Sequence, residues 1–343
     1  MSNNKNQHFV PKVYLKQFSA DGKSIELCIK KSLEFPPKTA IKNQSSSNYF
    51  YGKDLEIENF LSSMETDLGL ILHKLSDSSI EALTKDECEF LFGYTFLQWG
   101  RTDASATDLV AGAKEINDFV ASTIKCVDTS KFRAIEDKLE NVKRAISLGR
   151  EMLNTCSDLD FIFIINETPV DFITSDCPVS LYNQFHERIG KRTFAFGSIG
   201  TQVFFPLSPR ITFLIYDNLC YKIGNRKSKY IRISNPKDVN QLNNITFINA
   251  NKALYFINRN TISSFEHVAA KERDSSVYTK FRYPDTGLFW SSNQPPLCNA
   301  RFTFIRETDR TKHIKQYTHS LHPLLRNAVL KTMQRRYSEF FQF

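Results

Sequence analysis

His8, Arg101 and Asp176 are the side chains best suited to chemistry in this sequence, and each stands in a distinctive local setting. His8 precedes Pro11 by three residues in HFVPKVYLKQF (8–18). An imidazole titrates near neutrality, so it can act as acid, base or ligand with little tuning. Its plainer role is to cap the following helix or to pack over Tyr14. Asp176 closes an apolar strand in ITSDCPV (173–179), where Pro178 sets the exit of the chain. A carboxylate at a strand end can present a base or a metal ligand to a cleft. The plainer role is an Asx or ST turn, shared with Ser175, that only ends the strand. Arg101 and Gln98 lie three apart in FLQWGRT (96–102), on one face of an apolar helix. An inward guanidinium needs a carboxylate, a carbonyl or a ligand anion to offset its desolvation. Glu58, Glu65 or Asp176 could supply that partner from the protein, and a phosphate could supply it from a ligand.

Glu58 and Glu65 are seven apart and share one helical face, with Leu61 between them. Together with Asp176 they would make an oxygen-rich set of the kind that holds Mg²⁺ or Mn²⁺. The plainer role is a solvated helix face. The remaining histidines show no HExxH or comparable spacing. No Walker A loop, GxGxxG after a strand, GxSxG elbow or kinase signature is present, which argues against nucleotide-driven motors, classical dehydrogenases and α/β-hydrolases. The familiar DNA- and RNA-binding signatures are also missing.

The bulk properties set the frame for these residues. The formal charge of +8 and a pI near 9.0 suit an anionic partner such as nucleic acid or a nucleotide, although many basic proteins bind neither. Seven cysteines with no CxxC argue for reduced thiols in a cytoplasm, against a disulfide framework. MSNNKNQHF has no apolar signal region, and no run of eighteen apolar residues occurs, so a soluble protein without membrane association is expected.

The elements that must position the candidates divide at about residue 157. PKVYLKQF (11–18) reads as a short helix with Pro11 in its first turn, SIELCIKK (24–31) as a strand, and EFPPKTAIKNQSSSNYFYG (34–52) as connecting loop. Apolar positions at helical spacing run through 54–77. Thr84 and Glu87 make a capping box that opens one or two long helices reaching about residue 124, and 130–155 reads as a further, highly charged helix. Short β-branched and aromatic runs then predict strands at 160–167, 171–176, 201–209, 210–217 and 253–258, with a helix over 235–251. Residues 282–300 read as loop and 321–341 as a terminal amphipathic helix. The expected architecture is α+β, with a helical bundle (54–155) packed against a mixed or antiparallel sheet (157–260) in one main domain of residues 1–260. Residues 261–343 would form a C-terminal extension on the same core.

Taken in order, HFVPKVYLKQF, LEIENFLSSME (55–65), FLQWGRT, ITSDCPV, FFPLSPRITFLI (204–215) and VNQLN (239–243) resemble an uncharacterised bacterial family, domain of unknown function 4238. The family's opening pattern is met by His8, Pro11, Tyr14, Leu15 and Phe18. Its Ser-Asp-Asn-Pro-Val pattern is met with Cys177 in place of Asn. The resemblance carries no activity, so function is argued from the residues.

The first expectation is a hydrolase acting on a phosphodiester or nucleotide, of nuclease type, suited to a toxin or antiphage-defence effector. His8 would act as acid and base, and Arg101 would stabilise the growing phosphate charge beside Asp176. Gln98, Ser175 and Asn243 would contact substrate, and Glu58, Glu65 and Asp176 would hold Mg²⁺ or Mn²⁺. The alternative is a non-catalytic binding or regulatory module in which His8, Arg101 and Asp176 belong to a buried polar network. A third reading is an enzyme on a small nucleotide such as NAD without a Rossmann site.

Overall fold

The computed structural model describes residues 5–77, 80–111, 137–188, 196–225, 228–259, 279–282, 289–292 and 298–309. The chain opens with β1 (Asn6–His8) and the single-turn helix α1 (Lys12–Leu15), which continues as a 3-10 turn over Lys16–Phe18. Pro11 stands just before α1, where its missing N–H costs no helical bond. β2 (Ser24–Ile29), β3 (Thr39–Ala40) and β4 (Ser46–Asn48) follow. The stretch 34–52 is therefore not all loop. β4 pairs antiparallel with β1, placing His8 opposite Ser46. A pairing this short draws on main-chain bonds and needs no apolar alternation, so periodicity misses it.

Three long helices come next: α2 (Glu56–Asp77), α3 (Lys85–Gly100) and α4 (Lys138–Thr155). The capping box is formed: Glu87 N–H donates to Thr84 Oγ1 at 3.2 Å, and Thr84 N–H to Glu87 Oε2 at 2.8 Å. Asp137 caps α4 by accepting from Leu139 N–H at 2.8 Å. α3 and α4 cross at Gly100 and Gly149, where backbone meets backbone. A Cβ on Gly149 would lie 2.5 Å from the Phe96 carbonyl oxygen. The helix expected over 130–155 is described from Lys138 onward, and the later part of the one expected to reach residue 124 lies outside the described residues.

The second half supplies β5 (Asp160–Asn166), β6 (Thr174–Ser175), β7 (Ser180–Tyr182), the short α5 (Gln184–Arg188), β8 (Gln202–Ser208), β9 (Ile211–Tyr216), β10 (Tyr221–Ile223), β11 (Tyr230–Ile233), α6 (Pro236–Asn249) and β12 (Ala253–Phe256). Five strands form a mixed sheet in the order β11-β5-β9-β8-β7, parallel only at β11–β5. Its faces go to different partners. Val203, Phe205, Phe213 and Ile215 pack with the α2 and α3 side chains, whereas Phe204, Leu214, Ile162 and Ile164 pack with Val239, Leu242 and Ile245 of α6. Burial on both faces is why β8 and β9 read as continuous apolar runs. A four-stranded antiparallel sheet, β3-β2-β12-β6, packs Cys28, Leu254 and Phe256 against Phe247 and Ile248 of α6.

Residues 282–300, expected as loop, begin with a hairpin of β13 (Thr279–Arg282) and β14 (Phe289–Ser292). The chain then returns to the core over 298–309. There the Phe302 ring packs tilted against Phe204 with centroids 5.5 Å apart, and β15 (Ile305–Glu307) pairs with β10. The terminal helix expected at 321–341 lies outside the described residues. No helix among the described residues is long and apolar enough to cross a membrane.

Candidate functional site

Helical spacing aims Tyr94, Gln98 and Arg101 from one face of α3 at the N-terminal segment. Gln98 Nε2 donates to the Phe9 carbonyl at 2.9 Å, and Tyr94 hydroxyl donates to Gln98 Oε1 at 3.3 Å. Arg101, at the C-cap of α3, has a side chain with 0% exposure. One of its terminal nitrogens donates to the His8 carbonyl and to Glu65 Oε1, both at 2.7 Å. Nε donates to the Tyr51 hydroxyl at 3.0 Å, and the other terminal nitrogen reaches the Tyr94 hydroxyl at 3.4 Å. Burial works against the Arg101 charge, but Tyr51, Tyr94 and Glu65 outweigh it and raise the pKa further. Burial also pushes the Tyr51 hydroxyl up to about 12.

The loop that delivers Tyr51 is held from several directions. Gln7 spans it, accepting from Tyr51 N–H at 2.6 Å and donating to the Gly52 carbonyl at 3.0 Å. Ser45, Tyr49 and Leu55 adopt positive φ angles of 47°, 52° and 64°. Residues other than glycine pay for that conformation, and persist in it only where the surroundings over-determine it.

His8 is 7% exposed, and its Nε2 lies 3.1 Å from the Lys42 carbonyl. That contact requires a proton on Nε2, which leaves the neutral ring's lone pair on Nδ1. Burial, then the Lys12 and Arg101 charges, lower its pKa to about 4, against the raising effect of the Lys42 carbonyl. Glu58 is half-buried, and burial followed by the neighbouring Glu65 charge raises its pKa, against Arg101 and Lys12. Its carboxylate makes no hydrogen bond or ion pair among the described residues. The structure thus gathers His8, Glu58, Glu65, Gln98 and Arg101 in one place.

Asp176, Ser175 and Asn243 belong to a second place. Asp176 accepts from the backbone N–H groups of Asn251 at 3.0 Å and Lys252 at 2.8 Å, and its own N–H donates to the Ala253 carbonyl. Burial raises its pKa in spite of these donors. Ser175 closes an ST turn, accepting from Cys177 N–H and donating to the Cys177 carbonyl. Asn243 clamps the approach to β6, accepting from Ile173 N–H at 3.1 Å and donating to the Asp171 carbonyl at 2.9 Å. The two places meet through residues the sequence reading did not single out. Asp103, two residues after Arg101, pairs with Lys252 at 2.7 Å and with Lys138 at 2.8 Å. Arg101 itself makes no bond to Asp176. Tyr14 adds a further tie, its hydroxyl 2.6 Å from both Thr174 Oγ1 and the Pro206 carbonyl. The 94, 98, 101 spacing could have pointed to Tyr94, but nothing local marks Tyr51 or Asp103.

Glu65 is committed to Arg101 and Asp176 to backbone donors. No three His, Cys, Asp or Glu side chains among the described residues are grouped to hold a metal ion.

The model of a family described as "Protein of unknown function (DUF4238)" matches residues 6–260. The chain belongs to the DUF4238 family. No curated protein and no solved structure matches it. The DUF4238 match spans both places and ends at the close of the four-stranded sheet. Residues 298–309, beyond the match, are nevertheless laced to it: Asp238 of α6 accepts from Thr303 N–H at 2.8 Å, and Glu187 of α5 from Cys298 N–H at 2.8 Å.

Proposed function

We propose that this DUF4238 protein is a non-catalytic binding or regulatory module, and that the polar contacts around His8 and Arg101 and those around Asp176 are scaffolding. The observation that carries this reading is the use of Arg101. Its four partners are the His8 carbonyl, Glu65, Tyr51 and Tyr94, and its side chain has no exposure with which to meet a phosphate. Asp176, Ser175, Gln98 and Asn243 are likewise spent on main-chain groups. Side chains that complete backbone bonding between distant segments hold a fold in one arrangement. The test incubates the purified protein with RNA, DNA and NAD in Mg²⁺, Mn²⁺ or EDTA. No turnover is expected, and Arg101→Met is expected to lower stability. Turnover of any of these substrates, abolished by Glu58→Gln with a melting temperature no lower than that of the wild type, would overturn the reading.

That last outcome belongs to a second reading, favoured by Glu58 and His8. Both are driven toward their neutral forms, the acid upward and the base downward, beside the same two cations. Opposed shifts of this kind suit an acid and base pair. A phosphodiesterase or nucleotide hydrolase would protonate its leaving group from Glu58 and accept a proton from the attacking water at His8 Nδ1. Such an activity would fit a nuclease-type toxin or antiphage-defence effector, and the lack of a disulfide among the described residues fits a reducing cytoplasm.

A further inference from the structure

Away from both places, a cleft of about 510 Å³ opens between the C-terminal end of α2, the turn joining β8 to β9 and the residue after β12. That volume falls within the size range of small-molecule sites. Its floor is aliphatic: Leu72, Leu75 and Leu207 are buried there, and Ile211 and Ile257 form the sides. Two of the stretches that carry the family resemblance meet at it, since Gln17 is the penultimate residue of HFVPKVYLKQF and Leu207 to Ile211 form the turn of FFPLSPRITFLI.

One end of the cleft is polar and has a fixed geometry. Arg210 pairs with Asp171 Oδ1 at 2.7 Å, and its other terminal nitrogen donates to the Thr168 carbonyl. Asn243 holds the Asp171 main chain, and the ion pair to Arg210 orients its carboxylate. Of the five N–H donors on a guanidinium, these contacts use two. Asp171 Oδ2 accepts no hydrogen bond among the described residues. A free donor set and a free acceptor therefore stand side by side, with no net charge, above an apolar floor.

The geometry points to this cleft as a binding site for a small neutral amide with an aliphatic body. The amide N–H would donate to Asp171 Oδ2, its carbonyl would accept from Arg210, and the alkyl part would lie over Leu72, Leu75 and Leu207. A free carboxylate would face Asp171, and a free ammonium would face Arg210, so each pays a repulsion that the amide avoids. Ile257, 37% exposed at the rim, would lose its contact with water when the site fills.

The site rests on the binding-module reading, to which it adds a ligand class. N-acetyl-leucinamide serves as the probe, measured by saturation-transfer NMR and calorimetry against octanoate and octylamine. Saturable binding of the amide is expected, ahead of both charged compounds. Ile257→Trp, which fills the mouth from an exposed position, should abolish it. Asp171→Leu combined with Arg210→Met, which removes the polar end without leaving a lone charge, should weaken it by about tenfold or more, the value of one to two lost hydrogen bonds. Absence of saturation by the amide would overturn the proposal. So would equal or tighter binding of octanoate or octylamine, or unchanged affinity in both variants. Turnover of RNA, DNA or NAD would overturn the module reading without altering this measurement.

Discussion

The guanidinium of Arg101 donates to the main-chain carbonyl of His8 at 2.7 Å, tying the end of α3 to the first strand across 93 residues of sequence. The same nitrogen reaches Glu65, so one side chain joins the N-terminal segment, α2 and α3. Replacing Arg101 by Met strands the Glu65 carboxylate and several acceptors. A loss of about 3–5 kcal/mol in urea unfolding is expected, the usual cost of breaking a buried pair. Arg101→Met combined with Glu65→Leu should recover part of it, because no lone charge remains. A loss below about 1 kcal/mol in the single variant, as for a surface pair, would refute the scaffold role.

His8 makes stability pH-dependent. Its pKa falls from 6.5 to about 4 on folding, so the folded protein binds this proton less readily than the unfolded chain. Its contribution is complete above pH 6.5 and is lost as pH falls toward 4, by about 3 kcal/mol over the window. His8→Gln keeps an N–H for the Lys42 carbonyl but cannot titrate. Its melting temperature should fall less between pH 6.5 and 4 than that of the wild type, and parallel curves would contradict the assignment.

Glu58 has the opposite sign. Its raised pKa means that the folded state disfavours the carboxylate, so the penalty is present at neutral pH and disappears once the group is protonated in both states. Glu58→Gln should therefore raise the melting temperature at pH 7 and leave it unchanged near pH 3. A lower melting temperature at pH 7 would show that the carboxylate has a stabilising partner.

Where α3 crosses α4 there is no room for a methyl group. Gly149→Ala pushes a Cβ against the Phe96 carbonyl, and Gly100→Ala pushes one against the Ala145 carbonyl. Each should cost about 1–3 kcal/mol, since backbone on both sides resists the insertion. Thermal denaturation measures this, and a neutral effect would mean that the helices separate easily.

Asp176→Ala leaves the N–H groups of Asn251 and Lys252 without an acceptor in a buried turn. A loss of about 1–3 kcal/mol is expected, together with faster amide exchange at these two residues. Exchange unchanged from the wild type would place the anchor of the turn elsewhere.

Local signals were sufficient for much of the architecture. Thr84 and Glu87 announced α3 because a capping box is written in four consecutive residues. The β-branched and aromatic runs announced β5, β8 and β9 because strand burial leaves a compositional mark. The β1–β4 ladder escaped, since two three-residue strands carry no period, and so did the 279–292 hairpin. Of the candidate residues, helical spacing placed Gln98 and Arg101 on one face, and that face is where both are bonded.

The sequence by itself determined the long helices and the longer strands, which face of each is apolar, and which polar residues interrupt those faces, because these depend on neighbours within a few positions. Only the tertiary structure decided what the interrupting residues do. His8 and Arg101 meet across 93 positions and Asp176 and Lys252 across 76, and no local pattern specifies such pairs. Their partners are mostly main-chain carbonyl and N–H groups, which every residue carries alike. Which of them a side chain meets depends on how the elements pack.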